Sequence, residues 1–433
     1  MTACSIRCAV AVVTGVGAVA LSVPAASAAT TTLHVDGSST SCSDSGPGST
    51  ATPFCHINAA AAKAVAGTLV SVAAGTYHES VSPKNSGSSG APITFQGAKG
   101  GVTVTGGTNG FSVSGKSFIR IKRFTVTGTS GVGILVSGST RITLEGNNVS
   151  AAGSSSSIAK GISLSGTTKS VVQNNRTHDN TDAGIGVTSG SNGNTIRGNE
   201  SYGNARPAAR AAAGIDLRNS SGNLVTGNYL HDNQDSGLNI WSTSPQTVAV
   251  NNVISDNGDH GIDVHSTSDD VIVSNTVYRN YDSGIEMTGS LRTYLQNNIS
   301  ADNGIESLRT SGQLRADSTS APSTTADYDV LFLSAPQDAN TVYLDWGGTK
   351  YSSLSAFQSA TGQEAHGIQA DPLFVSPGTH ASHSGLPGGL RLQAGSPAID
   401  SGNNAATDEP KTDFDGVARP VNGIVDIGAF EFH

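Results

Sequence analysis

The side chains able to do acid, base or ligand chemistry recur at a regular interval in the middle of this chain. Asp216, Asn239, Asp263 and Glu286 each stand two residues after a glycine, and Arg218, Trp241 and His265 follow two residues later. A third set, Asp182, Asp235, Asp259 and Asp282, precedes such glycines by two residues. If the interval stacks them, neighbouring carboxylates repel by about 1 kcal/mol in water and by more when shielded. Such a column holds a cation or shares a proton. Calcium suits it, because that ion takes six to eight hard oxygen ligands in flexible geometry. The same residues suit glycoside hydrolysis. Asp263 and Glu286, one repeat apart, approach the roughly 5 Å of a retaining pair, and Asp216 and Asp263, two apart, the roughly 9 Å of an inverting one. Trp241 offers a flat amphipathic surface for a sugar ring, flanked by Asn239 and Asp216. A plainer reading keeps the aspartates as turn residues capping their own backbone.

The elements that position these residues are visible as a phrase of Gly, aliphatic, variable residue, aliphatic. It begins at Gly133, Gly161, Gly184, Gly214, Gly237, Gly261 and Gly284, at intervals of 28, 23, 30, 23, 24 and 23 residues. Asn148, Asn175, Asn199, Asn228, Asn252, Asn275 and Asn298 keep the same beat, and Asn180, Asn204, Asn233, Asn257 and Asn280 follow five residues behind. A period near 23 with short alternating strands predicts a solenoid of parallel β-coils. In it the asparagines, tolerant of left-handed backbone, hydrogen-bond to their copies one coil away. A leucine-rich repeat would show a Leu-rich consensus with helices, and a propeller blade about twice this period. Within each phrase the aliphatics point inward, so the variable second and fourth positions form two exposed columns. The composition agrees: Gly is 53 of 433 residues and charged residues only 13%, against about 7% Gly and 25% charge in an average domain. Long charged helices are excluded.

These features resemble the right-handed parallel β-helices of the pectin-lyase-like group, which includes secreted polysaccharide lyases, glycoside hydrolases and uronan epimerases. The likeness extends over His34-Val35-Asp36-Gly37, the Ala-rich stretch Ala59 to Ala66 and Ala74-Gly75-Thr76-Tyr77, which look like an N-terminal capping helix and its flanks. It continues to Asp371-Pro372-Leu373-Phe374, Gly395-Ser396-Pro397-Ala398-Ile399-Asp400 and Asp426-Ile427-Gly428-Ala429-Phe430-Glu431, read as a cap over the last coil edge. The implied fold is all-β, a right-handed parallel β-helix with a short N-terminal capping helix and an irregular C-terminal segment. Its parts are a signal segment (1–29), an N-terminal cap (30–90), the coils (91–320) and C-terminal coils with a cap (321–433).

Within that group the chain is similar to pectate lyases of polysaccharide lyase family nine, whose calcium site joins one Asp to an Asp-Asp-x-x-Asp phrase on the next coil. Asp235 followed by Asp259-His260-Gly261-Ile262-Asp263 matches, with His260 in place of the middle Asp. The resemblance therefore implies calcium at Asp235, Asp259 and Asp263 and β-elimination on a uronic-acid polymer. The family's Lys base has no counterpart, since no Lys lies between Lys169 and Lys350, and Glu286 stands at the aligned position. His265, with the pKa best suited to a base, is then expected to take the C5 proton and Arg218 to clamp the uronate. No Asp-Pro-His-Asp phrase like that of the epimerases is present. Two alternatives stand beside the lyase: a hydrolase or transglycosylase using Asp263 and Glu286, and a noncatalytic carbohydrate-binding β-helix.

The N-terminus has Arg7, an apolar run from Ala9 to Val23 and Ala26-Ser27-Ala28, the pattern of a cleaved secretory signal, so the expected location is extracellular. Cys42 and Cys55, left after cleavage, are expected to pair as a disulfide. Loss of Arg7 leaves 23 basic against 33 acidic residues, a charge of −10. With no run of basic residues, nucleic acid is not an expected partner. No later segment is long and apolar enough for a bilayer. The expectation is a monomer acting on a polysaccharide, either a neutral one or an anionic one bridged by a cation, rather than a polyanion met directly.

Overall fold

The computed structural model describes residues 31–433 apart from 306, 310, 339 and 379–386. The segment read as a secretory signal lies outside the described residues. The chain is a right-handed parallel β-solenoid. Each coil adds one short strand to each of three sheets, of 12, 11 and 11 strands among the described residues. The first sheet runs from Thr32–Val35 to Thr325–Asp327 and the second from Gly75–His78 to Val330–Phe332. The third runs from Phe111–Ser114 to Leu344–Trp346 and ends in an antiparallel strand, Thr349–Tyr351.

One coil illustrates why the sequence folds this way. Val248–Val250 lies in the first sheet, Val253–Ser255 in the second and Ile262–His265 in the third. The corners between them are made by Asn251 (φ 55°) with Asn252, and by Asp256 (φ 56°) with Asn257. Ile254, Ile262 and Val264 point into the interior with no exposed surface. Stacking neighbouring coils about 4.8 Å apart buries these aliphatics in a continuous core. The phrase glycine is needed because there is no room for a side chain: a Cβ on Gly261 would stand 2.2 Å from Val277 Cγ1 of the next coil.

The asparagines form two buried ladders in which each Nδ2 donates to the Oδ1 of the next coil. One runs through Asn147, Asn175, Asn199, Asn228, Asn252, Asn275 and Asn298 to Asp329. The other runs through Asn180, Asn204, Asn233, Asn257, Asn280 and Asn303 to Gln313. Two details correct the expectation. The first ladder begins at Asn147, while Asn148 opens a strand. The left-handed residue is not the ladder Asn but the one before it, such as Asn174, Asn251 or Asn297. That residue turns the chain so that the next can point inward and satisfy backbone groups of adjoining coils.

The helix Ile57–Lys63 buries Ile57, Ala60 and Ala61 at the N-terminal end of the solenoid, and a Cys42–Cys55 disulfide closes the loop before it. At the far end, Thr349–Tyr351 and the helix Leu354–Thr361 cover the last coil of the third sheet. The tail phrases do not form that cap. Ile427, Ala429 and Phe430 pack instead along the second sheet against Val253, Ile299 and Val330. The fully buried Arg419 fixes them there by donating to Glu431 Oε1 at 2.7 Å and Asn251 Oδ1 at 3.1 Å.

Candidate active site

The third sheet places the candidate residues in register. Gly186, Asp216, Asn239, Asp263, Glu286, Arg315 and Asp345 are successive partners in one column, and Thr188, Arg218, Trp241, His265 and Thr288 in the next. Asp263 and Glu286 are therefore one coil apart, with Asp216 two coils from Asp263. The first column is not exposed, contrary to the alternation rule. Asp216, Asn239, Asp263 and Glu286 are all buried, because long side chains and two loops fold over them. Arg218 Nε donates to Asp216 at 2.8 Å and its guanidinium lies 4.5 Å from the Trp241 ring centre. Trp241 Nε1 donates to Asp263 Oδ2 at 2.8 Å. Arg315 Nη1 donates to Glu286 Oε1 at 2.6 Å.

The aspartates two residues before the phrase glycines form a second buried line beside this column. Asp235, Asp259 and Asp282 belong to consecutive coils, while Ala212 stands at this position in the coil before, separating them from Asp182. Loops bring cations to this line. From Ala205–Ala213, Arg210 reaches Asp259 Oδ2 at 3.0 Å and Arg206 stands 3.5 Å from Asp182, which also accepts from Lys160 at 2.7 Å. From the loop after Gly304, Arg309 bridges Asp259 and Asp282. Neither loop carries the repeat, so periodicity gave no signal for Arg210 or Arg309; only their position in insertions between phrases could have.

His260 fills the centre. Ser283 N–H donates to its Nδ1 at 3.2 Å, leaving the proton on Nε2, which faces Glu286 Oε2 at 3.0 Å and Asp259 Oδ1 at 3.6 Å. His265, by contrast, lies at the rim with its ring 5.2 Å from that of Trp241 and no hydrogen-bond partner among the described residues. Between the two columns opens a cleft of about 390 Å³, lined by Asp216, Arg218, Trp241, Asp235, Asp259 and Arg210 among others.

The electrostatics follow from burial. Desolvation, then the charge of Asp259 and hydrogen bonding to it, push Asp235 up to about 7, against the pull of Arg210. Burial pushes Asp263 to about 6, with Glu286 and Asp259 adding to it and His260 and Trp241 opposing it. Burial also raises Asp282 despite His260 and Arg309. Carboxyls held this way bind a cation or a proton. The expected ligand set Asp235, Asp259 and Asp263 offers the hard oxygen donors that calcium takes, but Arg210 and Arg309 engage both oxygens of Asp259, and Asp263 Oδ2 accepts from Trp241. Asp259, His260 and Asp282 also bring one ligand atom each within 4.8 Å of one another.

A family model described as Pel9A-like, right handed beta helix region, matches residues 37–260. The chain belongs to the Pel9A-like β-helix family. A second model, right handed beta helix region, matches residues 208–320. No curated protein sequence matches the chain. Among solved structures, this Pel9A-like chain is similar to pectate lyase Pel9A at 19% identity, covering 93% of this chain and 96% of that one with a TM-score of 0.57. It is similar to XylC, solved in complex with xylose, at 13% identity over 92% and 98% of the two chains, TM-score 0.61. The GH136 lacto-N-biosidase from Eubacterium ramulus matches at 11% identity, TM-score 0.56, over 73% of this chain and 65% of that one. At these identities the Pel9A-like chain shares with them a fold.

Proposed function

We propose that this protein is a secreted lyase that cleaves a uronic-acid polysaccharide by β-elimination, with a calcium ion held by Asp235, Asp259 and Asp263. Asp235 carries the reading: a buried carboxyl pushed to about 7 beside Asp259 and Asp263 is relieved when a divalent cation replaces the shared proton. When bound, that ion neutralises the substrate carboxylate and so acidifies the C5 proton. Trp241 stacks on the sugar at the cleft wall, Asp216 lines the floor, and Asn239, fully buried with both amide atoms unpaired, lies beneath between Asp216 and Asp263 in the column. Arg218 spends Nε on Asp216 and turns its outer amino groups to the uronate. His265, unpartnered at the rim, accepts the C5 proton. Glu286, set between Arg315 and His260, fixes the floor beside Asp263.

Incubation with polygalacturonate, alginate and glucuronan, following the absorbance of unsaturated uronates with and without chelator, tests this. Elimination that chelator abolishes is the expected result. Full activity in His265→Ala would remove His265 from the chemistry.

One observation favours a hydrolase as the second reading. Asp263, pushed to about 6 beside a tryptophan, has the protonation of a general acid near neutrality, and Glu286, ion-paired one coil away, could serve as its partner. New reducing ends without ultraviolet absorbance would decide for it. Binding without products, dependent on Trp241, would decide for a noncatalytic role.

A further inference from the structure

We propose that the outer face of the first sheet carries a second binding site for an acidic polysaccharide chain, separate from the acidic cleft on the third sheet. It rests on the uronan reading above for the identity of its ligand. The chain's negative total hides a segregation of charge. Between Lys84 and Arg197 there are 11 Lys and Arg residues against three acids, Glu145, Asp179 and Asp182, a net of +8. Against a total of −9, the remainder of the chain carries −17. The sequence contains no basic run, yet the solenoid assembles one, because residues 23 to 28 apart become neighbours.

The focus is a groove of about 370 Å³ lined by Ser88, Pro92, Phe118, Arg120, Arg141 and Lys169, among others. Arg120, Thr143 and Val171 are register partners on consecutive coils, and Phe118, Arg141 and Lys169 stand two residues before them. All three of the latter have left-handed backbone (φ 55°, 54° and 52°), which sets them at one corner of the solenoid. Arg141 and Lys169 thus recur at the coil spacing of about 4.8 Å. Arg120, Arg141 and Lys169 are exposed, and among the described residues none has an ion pair. The guanidinium of Arg141 lies 5.4 Å from the ring centre of Phe118. Like charges at such a spacing repel, and among the described residues no carboxylate pairs with them.

A ligand that does so must carry single negative charges at sugar-like intervals and an apolar face for Phe118. A polyuronate has one carboxylate per ring and C–H faces that stack on aromatics. Duplex DNA carries a charge about every 1.7 Å, far closer than the coil repeat of about 4.8 Å, and its backbone offers no stackable face to Phe118.

The test is retardation of the full mature protein in gels containing polygalacturonate, repeated across salt concentrations and in gels containing a neutral glucan. The variant Arg120→Gln/Arg141→Gln/Lys169→Gln is expected to bind about tenfold more weakly, as expected for three exposed ion pairs, and with a shallower salt dependence. Arg120→Lys/Arg141→Lys, which keeps the charge, is expected to be retarded like the wild type, so a loss caused by misfolding is told from a loss of charge. Running the gels in chelator, which silences the calcium-dependent cleft, is expected to leave the difference in retardation between the wild type and the triple variant unchanged. Retardation of the triple variant equal to that of the wild type overturns the site, as does duplex DNA bound through these residues as tightly as polygalacturonate. A wild type that is retarded through the groove but releases no unsaturated uronate sinks the lyase reading and leaves the groove standing. Elimination by the wild type together with an unaffected triple variant does the reverse.

Discussion

The indole of Trp241 reaches across to the following coil and donates to Asp263 Oδ2 at 2.8 Å, tying the cleft's aromatic wall to the carboxyl held at about 6. A hydrogen bond to a charged group contributes about 1.5–3 kcal/mol, so removing the donor should favour the protonated acid. In Trp241→Phe, the Asp263 carboxyl is expected to titrate about one unit higher. Carbon-detected NMR of the side chain would show it, and a titration unchanged from the wild type would deny the coupling.

Asp235 and Asp263 also make stability depend on pH. Both are raised above the ordinary carboxyl value of about 4, so between about pH 4 and 7 the folded state binds more protons than the unfolded one. Their favourable contribution is complete below about pH 4 and is lost as pH rises through about 6 for Asp263 and about 7 for Asp235. In chelator, the melting temperature of Asp235→Asn should therefore fall less than that of the wild type between pH 5 and 8. Parallel curves for the two proteins would exclude Asp235 as the source.

Calcium should act in the opposite sense. Because it binds deprotonated carboxyls, its stabilisation should be larger at pH 8 than at pH 5 and approach about 2.7 kcal/mol at a hundredfold excess over its Kd. Calorimetric melts with calcium and with chelator at both pH values measure it; equal shifts at the two would argue against Asp235, Asp259 and Asp263 as ligands.

Arg309 bridges Asp259 and Asp282 from a loop. Arg309→Gln is expected to cost about 1–2 kcal/mol of stability in chelator, less than for a fully buried pair because the guanidinium is half exposed. The same change frees an Asp259 oxygen and should tighten calcium binding several-fold, read by isothermal titration. Unaltered calcium affinity would separate Arg309 from the ion site.

The ladders predict a sharp contrast between neighbouring asparagines. Asn228 accepts from the backbone and side chain of Asn199 and donates to Ile196 O and Asn252, so Asn228→Ala strands several buried groups at about 1–3 kcal/mol each. Asn148 contributes one hydrogen bond, with His178, and Asn148→Ala should cost about 1 kcal/mol or less. Urea denaturation of both variants checks the difference.

What was legible in the sequence was whatever the period carries. The aliphatics of Gly261-Ile262-Asp263-Val264 and their copies fixed the strands and the in-register columns, because identical coils must superpose. The burial of Asp216, Asn239, Asp263 and Glu286 was not legible. It depends on Arg218, Trp241 and Arg315 lying down over them, and on Arg210 and Arg309 arriving from insertions that do not repeat. Nor was the course of Asp426 to Glu431 along the second sheet, since its docking is decided by Arg419 and Asn251, 168 residues apart. The basic corner of Arg120, Arg141 and Lys169 escaped for a similar reason, being dispersed along the chain and gathered only by coiling.

The asparagine ladders have a direction. In each, the N–H groups of an earlier coil donate to the oxygen of the later one, from Asn147 onward, until Asp329 and Gln313 provide the last acceptors. The amide donors of any one coil are therefore completed by the coil that follows it, and a coil with none after it would present an open polar tip. Asp329 and Gln313 close that tip, supplying acceptors where the asparagines end.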